Sequence, residues 1–203
     1  MNKQQLIFSL KQKGFSKNIL NALSKVPREN FIPFQIRNYA YEDTALPIGN
    51  GQTISQPYTI AEMLGMLELK KGQKVLEIGS GCGYVLALLS EIVGEKGKVY
   101  GIEIIKELIE NSKQNLQTYK NIEIYNKNGA EGLKEESPYD RIIISAAIKE
   151  IPKQLTRQLK NKGILVAPVE NQESQTLTSF QKLNDKLEIK KQLPGFVFVK
   201  FID

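Results

Sequence analysis

Three glycines at alternate positions, Gly79, Gly81 and Gly83, interrupt an apolar run that begins at Val75, and an amphipathic series from Val85 to Ile92 follows them. The pattern reads as strand, tight turn and helix. Glycine permits positive φ and lets a ligand approach the main chain, while the helix behind the turn directs unpaired N–H groups back at it. Such a turn is a ligand cradle. Twenty residues beyond Gly83, Glu103 closes the next apolar strand, Val99 to Ile102. A carboxylate there can accept hydrogen bonds from both hydroxyls of a ribose. The dinucleotide fingerprint needs its third glycine where Tyr84 stands, and no Gly-Lys-Ser/Thr follows for a phosphate loop. The spacing therefore points to a nucleoside, against the plainer reading of an ordinary α/β turn.

Composition narrows the chemistry. The chain has no histidine, so a general base near neutral pH would have to be a perturbed carboxylate, lysine, tyrosine or cysteine. A reaction that needs no base is favoured. One cysteine, Cys82, and no histidine leave no His/Cys cluster for zinc and no histidine-dependent nucleophile. Cys82 itself reads as a small packed residue of the turn. The net charge of +6 invites a nucleic-acid face, but the lysines are scattered in short pairs at element ends, as solvated caps are. No apolar run approaches the ~20 residues of a membrane span, and Met1 to Lys13 lacks a signal-peptide core. We expect a cytoplasmic monomer with no membrane or specific nucleic-acid partner and no metal.

The elements that must position these residues follow from periodicity. At 203 residues, one domain is the economical reading. Leu6 and Leu10, then Ile19, Leu23 and Val26, predict two short helices, the second capped by Ser16. Pro27 ends them, and a turn-rich stretch from Phe31 to Gly51 is long enough to be a lid or part of a binding site. From Lys74 strands and helices alternate: strand 74–78, helix 83–93, strand 98–103, helix 106–118, strands 121–126 and 140–145, helix 152–160, strand 163–168. Alternation of this kind implies an α/β fold, a doubly wound, mostly parallel sheet with helices on both faces. Segments 176–181, 187–190 and 196–201 read as strands of an antiparallel C-terminal edge. Three parts result: N-terminal helices and loop (1–65), a nucleotide-binding core (73–170) and C-terminal strands (171–203). Glu103, Asn128, Gly129, Ser145 and Ala146 fall at carboxyl ends of strands, where such sheets bind ligands.

Gly-x-Gly-x-Gly with an acidic end on the next strand resembles the S-adenosylmethionine site of Rossmann-like methyltransferases. A more specific resemblance lies upstream. Tyr41-Glu42-Asp43 and Leu46 to Tyr58, with Thr53-Ile54-Ser55-Gln56-Pro57 at its centre, resemble the protein-L-isoaspartate O-methyltransferase family. The likeness continues through Val99 to Ile105, Asn128 to Leu133 and Tyr139 to Ala147, nearly the whole chain. It implies methyl transfer from S-adenosylmethionine to the α-carboxyl of isoaspartyl residues in damaged proteins and peptides, initiating repair through a succinimide. By the same resemblance Ser55 sits at the methyl-transfer site, and Thr53, Ile54, Ser55 and Gln56 fold over the cofactor. Glu77, Gly79, Ser80, Gly81 and Gly83 would cradle its methionyl part, Glu103 its ribose, and Asn128 with Gly129 its adenine edge. Asp43, Ile54, Ser55, Val197 and Phe198 would face the peptide. The chemistry suits the composition, since an isoaspartyl α-carboxylate with a pKa of ~3.5 is already ionised at pH 7.

Several residues keep a second reading. Ser55 could cap the helix that Pro57 opens, Asn128 could be a turn residue before Gly129, and Asp43 could hold its own loop. Bacterial members of the family usually carry histidine at Asn50, aspartate at Asn128 and proline at Lys200. Alternative functions are a nucleic-acid methyltransferase, a noncatalytic cofactor-binding module, and an aspartyl methyltransferase for a dedicated peptide. Against the first, Ser145-Ala146-Ala147-Ile148 stands where base N-methylation commonly has Asn/Asp-Pro-Pro-Tyr.

Overall fold

The computed structural model describes residues 1–171 and 174–202; the rest of the predicted C-terminal part lies outside the described residues. Two helices open the chain, α1 (Lys3–Gln12) and α2 (Lys17–Lys25). Asn2 and Gln5 form a reciprocal capping box at the start of α1, whereas Ser16 occupies the first position before α2 without a side-chain cap bond. Short 3-10 turns at Arg28–Phe31 and Phe34–Tyr39 lead into a hairpin of β1 (Leu46–Gly49) and β2 (Gln52–Ile54), and then into α3 (Pro57–Leu67). The turn-rich stretch is thus built of 3-10 turns and one small hairpin.

The main sheet holds β3 (Lys74–Ile78), β4 (Lys98–Glu103), β5 (Ile122–Asn126), β6 (Tyr139–Ile144), β7 (Leu159–Glu170), β8 (Gln175–Leu183) and β9 (Lys186–Phe196). Its order is β5-β4-β3-β6-β7-β8-β9. The first five strands run parallel, and β8 and β9 return antiparallel. Helices α4 (Tyr84–Val93), α5 (Lys106–Asn115) and α6 (Lys153–Gln158) connect the parallel strands. The order doubles back at β3, so the ends of β3, β4 and β6 face one crevice, the usual ligand position in such sheets.

Alternate strand residues supply two cores. Val75, Val99, Ile143 and Val166 pack with the helices on one face, while Leu76, Tyr100, Ile142 and Leu165 point to the other. On the first face α4 lies between the sheet and α2, with Leu86, Leu88 and Leu89 fully buried. Each such side chain contributes about 1.5–3 kcal/mol by leaving water. On the second face Leu155 of α6 and Leu133 pack against the sheet.

One expected element is absent. Residues 196–201 do not form a strand: β9 continues through Pro194 and stops at Phe196. The tail instead crosses to the loop after β6, where Ala147 N–H donates to Val199 O and Phe201 N–H donates to Ala147 O. Its apolar alternation serves two contacts rather than a sheet, with Phe198 buried and Phe201 against Gly129. Among the described residues no helix is long and apolar enough to cross a membrane.

Candidate active site

The glycine turn is stitched to the next strand. Gly79 and Ser80 N–H groups both donate to Ile102 O, at 2.8 and 3.1 Å. Gly81 (φ 51°) donates its N–H to Glu103 Oε2 at 2.8 Å. Gly83, at φ 85°, is the residue before α4, and a Cβ there would lie 2.7 Å from Leu116 Cδ1. Only glycine satisfies both the left-handed backbone and that close packing. The first N–H groups of α4 therefore open onto the turn.

Two carboxylates sit at the strand ends with different partners. Glu103, 6% exposed, accepts from Gly81 N–H and, through Oε1, from Ile104 and Ile105 N–H at 2.8 and 2.9 Å. Three backbone donors fix its orientation. Glu77, 1% exposed, accepts one bond from Ser145 Oγ at 2.7 Å, and its Oε2 has no partner. Burial pushes the Glu77 carboxyl up to about 8, the Ser145 bond pulls it down, and the charge of Glu103 raises it further. Ser80 Oγ is likewise buried without a partner. Two orphaned polar atoms beside one turn mark a place where a polar ligand completes the bonding. Burial also pushes the Cys82 thiol up to about 12, consistent with a packed residue rather than a nucleophile.

The opposite wall is the loop between α2 and α3. Arg28 is fully buried and its guanidinium donates only to main-chain carbonyls. Nη1 reaches Ala40 O at 2.7 Å and Glu42 O at 3.4 Å; Nη2 reaches Thr44 O at 3.0 Å and Ser55 O at 3.1 Å. Asp43 Oδ1 accepts from Tyr58 N–H at 2.8 Å, in the first turn of α3. Asp43 therefore caps α3 from a distance, and Ser55 does not, because Gln56 holds the capping position without a side-chain bond. The capping role weighed for Ser55 is overturned.

Between the walls lies a cleft open to solvent, bordered by Glu77, Gly79, Ser80, Gly81, Glu103 and Gly129 on the sheet side. Thr53, Ile54 and Ser55 border it from the loop side, and Ile48 leans over Gly81. A second groove runs along the same loop, bordered by Gln56, Tyr58 and the tail from Phe196 to Val199, with Val197 exposed and Phe198 buried. Thr53, Ser55, Ser145 and Val199 border both. Three expected residues border neither: Asp43, Gly83 and Asn128. Asn128 Oδ1 accepts from Ala130 N–H at 2.8 Å and so shapes the turn that presents Gly129. Sequence reading passed over Arg28 and the Ser145–Glu77 bond. Pro27 beside Arg28 was the one local signal, and it marks a helix end rather than a buried cation.

Comparison with known proteins places this architecture. The sequence model of the protein-L-isoaspartate(D-aspartate) O-methyltransferase family matches residues 1–203. A protein-L-isoaspartate O-methyltransferase of Ignicoccus hospitalis is 44% identical over 206 residues, covering 99% of this chain and 97% of its own. One from Methanothrix thermoacetophila is 43% identical over 204 residues, covering 100% and 95%. Among solved structures, a protein-L-isoaspartate O-methyltransferase superposes with a TM-score of 0.88 at 32% identity, over 98% of this chain and 65% of that one. A Plasmodium falciparum protein assigned to the same activity, solved with S-adenosyl-L-homocysteine, gives 0.86 at 26% identity over 100% and 99%. The chain belongs to the protein-L-isoaspartate(D-aspartate) O-methyltransferase family.

Proposed function

We propose that this chain transfers the methyl group of S-adenosylmethionine to the α-carboxyl of L-isoaspartyl residues in damaged proteins and peptides. The observation that carries the reading is the shared wall: Ser55 and Ser145 border both the acid-lined cleft and the groove along the tail. One cleft suits a nucleoside with a cationic end, the other an extended peptide, and the two meet at hydroxyls.

The residues present fit the cofactor. Glu77 Oε2 and Ser80 Oγ, buried and unpartnered, would take its amino-acid end in the turn of Gly79 and Gly81, with Gly83 setting the helix behind. Glu103 keeps one lone-pair site, on Oε2, beyond its three backbone donors for a ribose hydroxyl. Gly129, in the turn shaped by Asn128, would border the adenine, and Thr53, Ile54 and Ser55 would close the loop side, with Gln56 turned to the peptide groove. When bound, S-adenosylmethionine supplies an electrophilic methyl group on a positively charged sulfur.

The chain then has to orient rather than activate. An ionised acceptor carboxylate needs no base, in keeping with the absence of histidine. Its charge falls as it acquires the methyl group, so a hydroxyl donating to the attacking oxygen would favour the reactant. Ser55 contributes by holding the other oxygen and fixing the angle of approach. Ile54, Val197 and Phe198 would hold the peptide, with Asp43 acting through α3. The methyl ester would close to a succinimide without further help from the protein. In this reading one domain, 1–203, works as a cytoplasmic monomer without nucleic acid or membrane.

The test is transfer of radiolabelled methyl to a synthetic isoaspartyl peptide, with its aspartyl isomer as control and base-released methanol as readout. Selective, base-labile label on the isoaspartyl peptide is expected. Preference for the aspartyl isomer would instead assign a dedicated peptide substrate, and label on neither peptide despite cofactor binding would refute the activity.

A further inference from the structure

We propose that Arg28 is a positioning residue of this active site, whose buried guanidinium sets the main chain at Ser55 and thereby the wall between the two clefts. The proposal rests on the activity proposed above for its kinetic readout, and on geometry alone for its structural one.

The four acceptors of Arg28 have an unusual distribution. Three are carbonyls of one short loop, Ala40, Glu42 and Thr44, and the fourth is Ser55 O, 27 residues away along the chain. The hairpin pairs Leu46 with Ile54, one residue short of Ser55, and the guanidinium carries the tie from the loop carbonyls to Ser55 O itself. Holding the Ser55 carbonyl fixes the peptide plane between Ser55 and Gln56, and with it the direction in which the Ser55 side chain leaves the backbone. The same clamp holds the loop on which Asp43 caps α3, the helix that begins two residues after Ser55. Both sides of the orienting Ser55 hydroxyl are thus tied to one side chain.

The charge balance argues for a role beyond cohesion. Among the described residues Arg28 has no ion pair, and its Nε is buried without a partner. A fully buried cation whose hydrogen bonds all go to neutral carbonyls is costly, and a well-packed apolar residue would often serve a loop better. What an apolar side chain cannot do is organise four acceptors, and what lysine cannot do is span them, because its donors radiate from one point while guanidinium donors form a planar fork. The sheet wall has its own anchor in Glu103. Arg28 is therefore expected to govern turnover far more than cofactor binding.

The experiment compares wild type, Arg28→Lys and Arg28→Gly. Three quantities are read on each: kcat and KM for the isoaspartyl peptide, calorimetric affinity for S-adenosylhomocysteine, and amide hydrogen exchange of residues 40–56. Displacing a reacting group by ~1 Å costs on the order of 10²-fold, so kcat should fall by about that factor in both variants while cofactor affinity changes far less. Millimolar guanidinium should restore turnover and exchange protection to Arg28→Gly, and methylammonium should not. The proposal is overturned if either variant keeps wild-type kcat, if exchange at 40–56 is unchanged, or if turnover and cofactor affinity fall together without rescue. Failure of wild type to methylate any peptide would sink the activity instead, leaving hydrogen exchange and its rescue by guanidinium to decide on Arg28.

Discussion

The two walls of the cleft are held by different kinds of bond. On the sheet wall, the glycine turn hangs from paired parallel strands: Gly79 and Ser80 donate to Ile102, and Glu103 gathers two N–H groups from the residues that follow it and one from Gly81, just past the end of the neighbouring strand. On the loop wall, Arg28 and Asp43 reach over 12 to 27 residues to hold carbonyls and an N–H that belong to no ladder. A ladder spreads its load over many bonds, whereas a clamp concentrates it in one side chain. The difference teaches where single substitutions should act: on the loop wall they should change catalysis, on the sheet wall cofactor affinity. Ser55→Ala is the sharpest way to break that division. We expect kcat to fall by about 10²-fold, the effect of losing alignment at the reacting centre, with S-adenosylhomocysteine affinity nearly unchanged. Equal loss in both would mean that the loop wall serves the cofactor as much as the peptide.

Glu103→Ala tests the other wall. Losing a charged acceptor typically costs about 1.5–3 kcal/mol, and we expect cofactor affinity measured by calorimetry to drop by that amount. Three backbone N–H groups would also lose their partner, so the melting temperature should fall with it. Glu103→Gln refines the point, because an amide oxygen can still accept from Ile104 and Ile105. It should recover much of the stability and less of the affinity. Unchanged affinity in both variants would remove Glu103 from the cofactor site.

The same contrast explains what was legible in the sequence. Strands 74–78 and 98–103 are short apolar runs, the first followed by Gly79 and the second closed by Glu103, and the structure has them at those bounds. Periodicity and glycine spacing are local signals, and the sheet wall is made of local units. The loop wall is not. Arg28 looks like any charged residue after a proline, since its burial is decided by carbonyls that arrive from residues 40 to 55. Asp43 was left open between two roles because its partner, Tyr58 N–H, is fifteen residues away. The strand expected at 196–201 shows the limit from the other side: Phe198 and Phe201 have strand-like alternation, but that alternation lines a groove and meets Gly129. Burial on two sides produces the same pattern whether the neighbour is a strand or a loop.

Glu77 yields a smaller effect, measured in protons rather than affinity. Its folded value of about 8 stands above the ordinary 4.5. Between those values the native protein binds more protons than the unfolded chain. This contribution to stability is therefore complete below the lower value, declines as pH rises through the window, and is exhausted above about pH 8. A cationic ligand group at Glu77 would reverse the preference and expel the proton. Calorimetry at pH 7 in buffers of different ionisation enthalpy should find about one proton released when S-adenosylhomocysteine binds wild type, and none with Glu77→Gln. The same release in both would place the ligand's charged end elsewhere.

The smallest effect is expected at Asn50, where the family resemblance implies a histidine. Asn50 is exposed at the tip of the hairpin, with φ 53°, between Gly49 and Gly51. Histidine tolerates that left-handed region much as asparagine does, and Asn50 borders neither cleft. Asn50→His should therefore change stability and cofactor affinity by less than about 0.5 kcal/mol, the usual range for a surface site. The informative readout is KM for isoaspartyl peptides of increasing length. If KM is flat across the series in both proteins, the loop wall ends at Thr53 and the hairpin tip plays no part. If the histidine lowers KM only for longer peptides, the tip closes over the chain flanking the isoaspartyl residue. The loop wall would then extend from the Arg28 clamp through β1 and β2 to a surface that this protein, with asparagine there, uses weakly.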